Sequence, residues 1–207
     1  SSDVCSSDLL MSNYFYGSEI TPYFFDSRKI DPNSSFVERV LPFINNPSSI
    51  QVVYTENDKK NFYFGDIVAQ PDAVMSQHQH LISLEYKSLS GSNQKLHERN
   101  RWQQQIRLKD VLQAIINSLQ VSIVENKPCI SLLRYVNVVY FISPTKELCE
   151  FILQKAPDAK RFHNEHKYVS SSQLCEVIEP LVKKLFQLDE TEAQKEGKTS
   201  HETMLRR

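Results

Sequence analysis

The sequence predicts an α/β protein in which a mixed β-sheet is flanked by helices. Two observations carry this prediction. Runs of β-branched and aromatic residues, separated by turn residues, fill much of the first half of the chain. An amphipathic helical stretch then separates them from a further apolar strand, and a helix between two strands of one sheet connects parallel neighbours. With 207 residues, 40% of them hydrophobic, the chain can bury one sizeable core.

The two ends of the chain differ in composition from its middle. Residues 1–10 are low in complexity and resemble translated sequencing-adapter read-through, so we expect a non-native leader before Met11. Residues 11–187 are predicted to form a single domain, and residues 188–207, which are polar and charged, a disordered tail. No stretch approaches the run of about 18 apolar residues that a membrane span requires, and no signal peptide follows Met11. We therefore expect a cytoplasmic protein that does not enter a membrane.

The first half of the domain is predicted to hold one short helix followed by strands in a meander. Ser35 to Glu38 forms a capping-box pattern, and Pro42 keeps the helix that it opens short. Gly65 is expected to interrupt the second of the strands that follow. The predicted strands cover residues 50–55, 61–69, 73–76 and 81–88.

The second half is predicted to be mainly helical. Residues 101–120 show apolar side chains close to one helical face, which predicts a long amphipathic helix. Residues 130–143 are expected to form one buried strand. Two further helices are expected over about residues 146–155 and 170–186, joined by a polar surface connection.

The pattern acidic-x-lysine is too common in this chain to decide anything alone. It occurs at Asp58/Lys60, Glu85/Lys87, Glu125/Lys127, Asp158/Lys160, Glu165/Lys167 and Glu196/Lys198. Only Glu85-Tyr86-Lys87 ends an apolar strand, so only there do the two charges project from one strand face while Ile82 and Leu84 cover the other. Two charges on an apolar strand are costly unless they have partners.

Asp72 is the predicted partner of Glu85. If the hairpin turn is centred on His78 and Gln79, paired positions sum to 157 and Asp72 lies opposite Glu85. Opposed carboxylates repel each other, and a hard divalent cation such as Mg²⁺ turns that repulsion into attraction. A slip of one residue would separate the two side chains onto opposite faces.

These residues resemble a known family. Pro71-Asp72 followed by Glu85-Tyr86-Lys87 at a strand end is similar to the signature of the PD-(D/E)xK nuclease superfamily, and Phe64 to Ile67 resembles the glycine-aspartate entry of several branches. The predicted order over residues 35–142 is similar to that family's core, αβββαβ. The resemblance implies a restriction-endonuclease-like fold and hydrolysis of phosphodiester bonds with Mg²⁺, or with Mn²⁺ in its place. We expect DNA rather than RNA as the substrate.

The resemblance also implies roles for single residues. Asp72 and Glu85 would hold the metal, with the Tyr86 carbonyl as a further ligand, and Lys87 would orient or activate the attacking water. Some branches add a glutamate from the first helix, for which Glu38 is the candidate. Many place a glutamine on the helix after the motif; Gln103, Gln104 and Gln105 are available, and Gln105 is preferred because it is nearest the buried stripe.

A basic segment follows the motif although the whole chain has a formal charge of −1. Between residues 87 and 109 six basic side chains face one acidic side chain, a net of +5. Such a segment is as consistent with a solvated surface as with one that follows a phosphate backbone. The candidate nucleic-acid contacts are Lys95, Arg99, Arg101 and Arg107.

Alternatives to an active nuclease stay open at this point. The same residues fit a catalytically inactive module that binds nucleic acid or a protein partner. A homodimer, or a subunit of a larger defence or mobile-element complex, is a further possibility. Two other constellations are interpreted as surface features: His78-x-His80 as a polar turn, and Pro157-Asp158 with Glu165-His166-Lys167 as a connection without strands.

Overall fold

The computed structural model describes residues 18–58, 60–87 and 106–185, and within them a mixed α/β fold. The strands are β1 (Glu19–Phe24), β2 (Gln51–Thr55), β3 (Phe62–Phe64), β4 (Ile67–Ala69), β5 (Ala73–Gln77), β6 (His80–Tyr86), β7 (Cys129–Arg134), β8 (Val138–Ser143) and β9 (Val169–Ser170). The helices are α1 (Phe36–Val40), α2 (Leu108–Glu125), α3 (Lys146–His163) and α4 (Ser171–Leu185). No helix in these three ranges combines the length and apolar character that a bilayer crossing requires.

The main sheet has six strands in the order β1-β8-β7-β6-β5-β2. The α2 connection makes β6 and β7 parallel neighbours, whereas the other pairs of this sheet are antiparallel. The prediction of a mixed sheet flanked by helices is therefore confirmed. The edge strand β1 was not predicted, because most of its residues are exposed and it lacks the apolar alternation of a half-buried strand.

The two faces of the main sheet pack against different helices. Alternate side chains of β7 and β8, including Leu133, Tyr140 and Ile142, pack in one cluster with α2, α3 and α4. On the other face, Ile82 and Leu84 pack with residues of α1. Because alternate side chains of a strand point to opposite faces, the sheet packs on one face against a large layer of α2, α3 and α4 and on the other against the short α1.

The predicted meander is wrong, because β2 pairs directly with β5. The intervening β3–β4 hairpin turns at Gly65, whose φ of 57° lies in the left-handed region that glycine adopts readily. This hairpin leaves the main sheet and forms a second one, β3-β4-β9. Phe62 on β3 packs against Val121 of α2, so burial against a distant helix decides the position of the hairpin.

The single strand predicted over residues 130–143 is also wrong. It divides into β7 and β8, which form an antiparallel hairpin. The Tyr135 N–H donates to the Val138 carbonyl at 2.9 Å and closes the turn. Because this turn holds neither glycine nor proline, the local sequence carries no strong signal that the strand breaks there.

The helix bounds differ from those predicted in instructive ways. The capping box of α1 is confirmed. The long helix α2 begins at Leu108, since Ile106 and Arg107 before it are not helical, whereas residues 101–105 of the predicted helix lie outside the described residues. The helix ends at Glu125, where Asn126 adopts a φ of 50° as its C-cap. Helix α3 continues through Pro157 to His163 instead of ending near residue 155. Burial of Ala156 and Ala159 in the core outweighs the hydrogen bond that a proline removes.

The predicted leader of residues 1–10 and the predicted tail of residues 188–207 lie outside the described residues.

Candidate active site on the β5–β6 hairpin

The predicted register of the hairpin is confirmed. Ala73 pairs with Leu84, Ser76 with Leu81 and Gln77 with His80, so every paired position sums to 157. Asp72 directly precedes β5. The Asp72 N–H donates to the Leu84 carbonyl at 3.0 Å, and the Asp72 Oδ2 accepts from the Tyr86 N–H at 2.6 Å. Asp72 is therefore hydrogen-bonded on both sides of Glu85 along the neighbouring strand.

The turn of this hairpin joins β5 to β6 at His78 and Gln79, as predicted. His78 has a φ of 55°, and both His78 and His80 are exposed. This agrees with the interpretation of His78-x-His80 as a polar turn.

Glu85 and Lys87 project from the same face of β6, toward α2. Glu85 is only 3% exposed, and the Lys87 Nζ donates to its Oε1 at 2.6 Å. Tyr86, between them, is 43% exposed on the opposite face, where Leu84 packs in the α1 cluster. The alternation along the strand thus places both charges of the motif beneath one helix.

Helix α2 supplies two amide side chains to these charges. The Gln113 Oε1 accepts from the Lys87 Nζ at 2.9 Å, and the Asn117 Nδ2 donates to the Glu85 Oε2 at 2.7 Å. Residues four apart on a helix lie on one face, so a single turn of α2 covers both partners of the ion pair. Both oxygens of Glu85 are therefore hydrogen-bonded, as a buried carboxylate requires.

The electrostatics of the two carboxyl groups reflect burial and mutual repulsion. Burial, followed by the charge of Asp72, raises the pKa of Glu85 from 4.5 to about 7, although Lys87 and Asn117 favour the charged form. Burial also raises the pKa of Asp72, against the hydrogen bond from the Tyr86 N–H. Two acidic groups that resist ionising beside each other are a frequent property of functional sites.

The donor set suits a hard divalent cation. The carboxylates of Asp72 and Glu85 interact electrostatically, and a cation would relieve the repulsion that, after burial, raises the pKa of Glu85. Mg²⁺ commonly uses one or two carboxylates and completes its shell with substrate phosphate and water. Within the described ranges no group of three or more His, Cys, Asp or Glu side chains forms a metal cluster.

Some residues predicted for the site lie elsewhere in the fold, and others lie outside the residues that the structure describes. Glu38 is exposed, and its carboxylate accepts from the Ser35 N–H at 2.8 Å as part of the capping box; its hydrogen bonds are thus with α1 instead of with the site. Arg107 is exposed at the start of α2 and pairs with Asp110 at 3.3 Å. Four predicted residues lie outside the described residues, namely Gln105, Lys95, Arg99 and Arg101.

Gln113 and Asn117 are the residues that sequence reasoning missed. A glutamine was expected on this helix but closer to the motif, since the predicted helix begins seven positions before the observed start at Leu108. One signal pointed to Asn117: it is a polar residue within the apolar stripe, next to Ile116, and it is fully buried in the fold. A buried amide needs a polar partner, and Asn117 reaches the Glu85 Oε2, while Lys87 binds the Oε1 of the same carboxylate.

Comparison with protein-family models, with curated proteins and with solved structures gave no significant match to this chain.

Proposed function

We propose that the protein is a magnesium-dependent nuclease of the PD-(D/E)xK type that hydrolyses phosphodiester bonds of DNA. The observation that carries the proposal is the interaction of the half-buried Asp72 carboxylate with the buried Glu85 carboxylate, with the Lys87 Nζ 2.6 Å from Glu85. The order of elements around the hairpin supports it. Leaving aside the β3–β4 insertion, the chain runs α1, β2, β5, β6, α2, β7, which is the order αβββαβ expected of a restriction-endonuclease-like core.

In this proposal, the carboxylates of Asp72 and Glu85 and the Tyr86 carbonyl hold Mg²⁺, for which Mn²⁺ can substitute. The bound cation supplies Lewis-acid stabilisation of the negative charge on the phosphoryl oxygens. The Tyr86 N–H fixes Asp72 through a 2.6 Å hydrogen bond, and the Asn117 amide fixes the far oxygen of Glu85. Because both carboxylates are oriented before substrate arrives, little reorganisation is needed on binding.

Lys87 is the residue of the chain suited to contact the attacking water. Its ammonium is a triple donor, and Glu85 and Gln113 use two of its three hydrogens at 2.6 and 2.9 Å. The third hydrogen can orient a water molecule or a phosphoryl oxygen. Gln113 acts through Lys87 as a positioning residue, because it limits the directions in which the third hydrogen points.

The proposal is tested by cleavage of labelled double-stranded DNA, single-stranded DNA and RNA in Mg²⁺ and in EDTA. The wild type is expected to cleave DNA only with the metal, and Asp72→Asn and Lys87→Met to lose about 100-fold or more of that activity. Melting curves of each variant check that it is folded. Undiminished cleavage by both variants would overturn the assignment.

Binding measurements separate this function from that of an inactive module. Mg²⁺ is expected to raise the melting temperature of the wild type, because a ligand that binds the folded state stabilises it. Asp72→Asn should weaken this rise. Nucleic-acid binding without cleavage, and without any effect of Mg²⁺ or Mn²⁺ on melting, would instead indicate a catalytically inactive binding module.

A further inference from the structure

A pocket of about 640 Å³ lies beside Asp72, on the α1 side of the main sheet. Helix α1, the turn after β2 and the ends of β5, β6 and β7 form its walls. The charged residues that line it are Arg39, Glu56, Asp72 and Arg134, and the ring of Tyr86 lies at its wall. Its volume is in the range of ligand pockets, about 300–1,000 Å³.

Arg134 is the most unusual residue of this pocket. It ends β7, lies beside Tyr86 in the parallel register, and is only 7% exposed. Its guanidinium donates to the Arg39 carbonyl through one terminal nitrogen, while its Nε has no hydrogen-bond partner among the described residues. The guanidinium carbon lies 5.1 Å from the centre of the Phe25 ring and 5.6 Å from that of Tyr86.

The described arginines fall into two groups according to their partners. Those away from this pocket form ion pairs with acidic side chains: Arg28 with Asp26, Arg107 with Asp110, and Arg161 with Asp158. Arg39 and Arg134 form no such pair with any described residue, and both line this pocket. Arg39 donates instead to backbone carbonyls of Pro32 and Ser34.

A buried guanidinium without a counter-ion is costly, because burial removes water that would solvate the charge. Burial accordingly lowers the pKa of Arg134 below its ordinary value. The planar fork of arginine matches the oxygens of a phosphate group, and an anion in the pocket would compensate the charge. The carboxylates of Glu56 and Asp72 also line the pocket and would repel an anion, so the anion is expected to bind against the arginines.

We propose that this pocket binds a phosphate group on Arg134, with Arg39 as a second cationic wall. The phosphate can belong to a nucleic-acid strand or to a small phosphorylated molecule. Asp72 lines both the pocket and the candidate metal site, so a phosphate of a bound nucleic-acid strand in this pocket would lie next to the bond that is cleaved. This assignment of the phosphate to a strand rests on the proposed function. The exposed face of Tyr86 then offers a surface on which a base can stack.

The first test uses the wild-type protein and needs no activity. The protein labelled with ¹⁵N is titrated with inorganic phosphate without divalent cations, and the arginine Nε–H signals are followed by NMR, with Arg134→Lys to assign the Arg134 signal. A saturable shift of the Arg134 signal, with the Arg161 signal unchanged, is expected. A titration in which the assigned Arg134 signal does not respond would overturn the proposal.

The second test compares matched variants. Arg134→Gln is expected to weaken phosphate binding about tenfold or more, whereas Arg161→Gln, which removes an exposed arginine of α3, should bind as the wild type does. Equal binding by Arg134→Gln, with a melting curve that shows it folded, would contradict the assignment.

The source of the phosphate is distinguished by repeating the titration with a single-stranded DNA oligonucleotide on the Glu85→Gln protein. A shift of the Arg134 signal at much lower concentrations of oligonucleotide than of inorganic phosphate indicates a strand; a shift with inorganic phosphate alone indicates a small ligand. Phosphate binding without nuclease activity would remove the proposed function and leave this site. Nuclease activity without a response of Arg134 would remove this inference only.

Discussion

Two segments of the chain place proline and aspartate near an acidic-x-lysine pattern, yet the fold treats them in opposite ways. In the first, Glu85 and Lys87 lie on strand β6, where positions two apart share a face, and the pair is in contact at 2.6 Å. In the second, Asp158 and Lys160 lie on helix α3, where positions two apart diverge. Asp158 pairs with Arg161, whereas Lys160 reaches Asp66 at 2.7 Å.

Burial separates the two segments further. The Glu85 side chain is 4% exposed and that of Asp158 is 41% exposed. Burial raises the pKa of Glu85 to about 7, whereas the hydrogen bond from Arg161 lowers the pKa of Asp158. The same acidic-x-lysine pattern therefore gives a buried acid with a raised pKa in one place and a solvated ion pair in the other. Secondary structure and burial, and not the residue pattern alone, decide the chemical properties of the motif.

The largest expected effect tests this contrast through cleavage. Glu85→Gln removes a carboxylate of the proposed metal site and should reduce the proposed Mg²⁺-dependent DNA cleavage by about 100-fold or more. Asp158→Asn, the matched change on α3, should leave the cleavage rate unchanged, because Asp158 pairs only with Lys155 and Arg161 on the surface of the same helix among the described residues. Rates on a labelled duplex check both. Equal losses in the two variants would show that the contrast has no functional meaning.

The second effect is a pH dependence of stability that belongs to Glu85. The unfolded chain releases this proton near pH 4.5, whereas the folded chain keeps it to about 7. Between these values the folded state keeps the Glu85 proton that the unfolded chain has lost, so the contribution of Glu85 to stability is greatest below pH 4.5 and is lost as the pH rises through 7. The difference in unfolding free energy between the wild type and Glu85→Gln should change by roughly 3 kcal/mol across this window.

Urea denaturation of both proteins without divalent cations, at several pH values, measures this difference. Since a metal ligand must lose its proton, the affinity for Mg²⁺ should rise as the pH increases through 7. A difference that stays constant with pH would contradict the raised pKa of Glu85.

The third effect compares the two lysines. Lys87→Met leaves the buried Glu85 carboxylate without its cation and should destabilise the protein at about pH 8 by roughly 1–3 kcal/mol. Lys160→Met breaks a half-exposed pair with Asp66 and should cost only about 0–1 kcal/mol. The cost of Lys87→Met should shrink near pH 5, where Glu85 is protonated. Thermal melting at both pH values checks this, and a pH-independent cost would point to lost packing instead.

The smallest expected effect concerns Gln113, which contacts Lys87 and no described acidic group. Gln113→Met should slow cleavage by about tenfold through kcat while KM stays nearly constant, because Lys87 loses an acceptor that orients it. Gln113→Asn serves as the conservative comparison, and partial recovery there supports a positioning role. A change confined to KM would assign Gln113 to substrate binding instead.

The sequence by itself determined the hairpin and its site. The polar turn at residues 77–80 and the apolar run before Glu85 set the register, because a shift of one residue would turn every side chain of the shifted strand to the opposite face of the sheet. That register alone brought Asp72 opposite Glu85 and set Lys87 on the same face. The capping box of α1 and the parallel pairing of β6 with β7 were likewise determined by local pattern and by the helix between the strands.

Only the tertiary structure decided how the rest assembles. The β3–β4 hairpin left the main sheet, residues 129–143 divided into two strands, and α3 continued through Pro157, in each case because contacts with distant elements outweighed local propensity. The partners of the site are long-range as well: Gln113 and Asn117 reach Lys87 and Glu85 across 26 and 32 positions. A spacing in sequence fixes which side chains share a strand face, whereas the helix turn that covers them depends on packing of the whole domain.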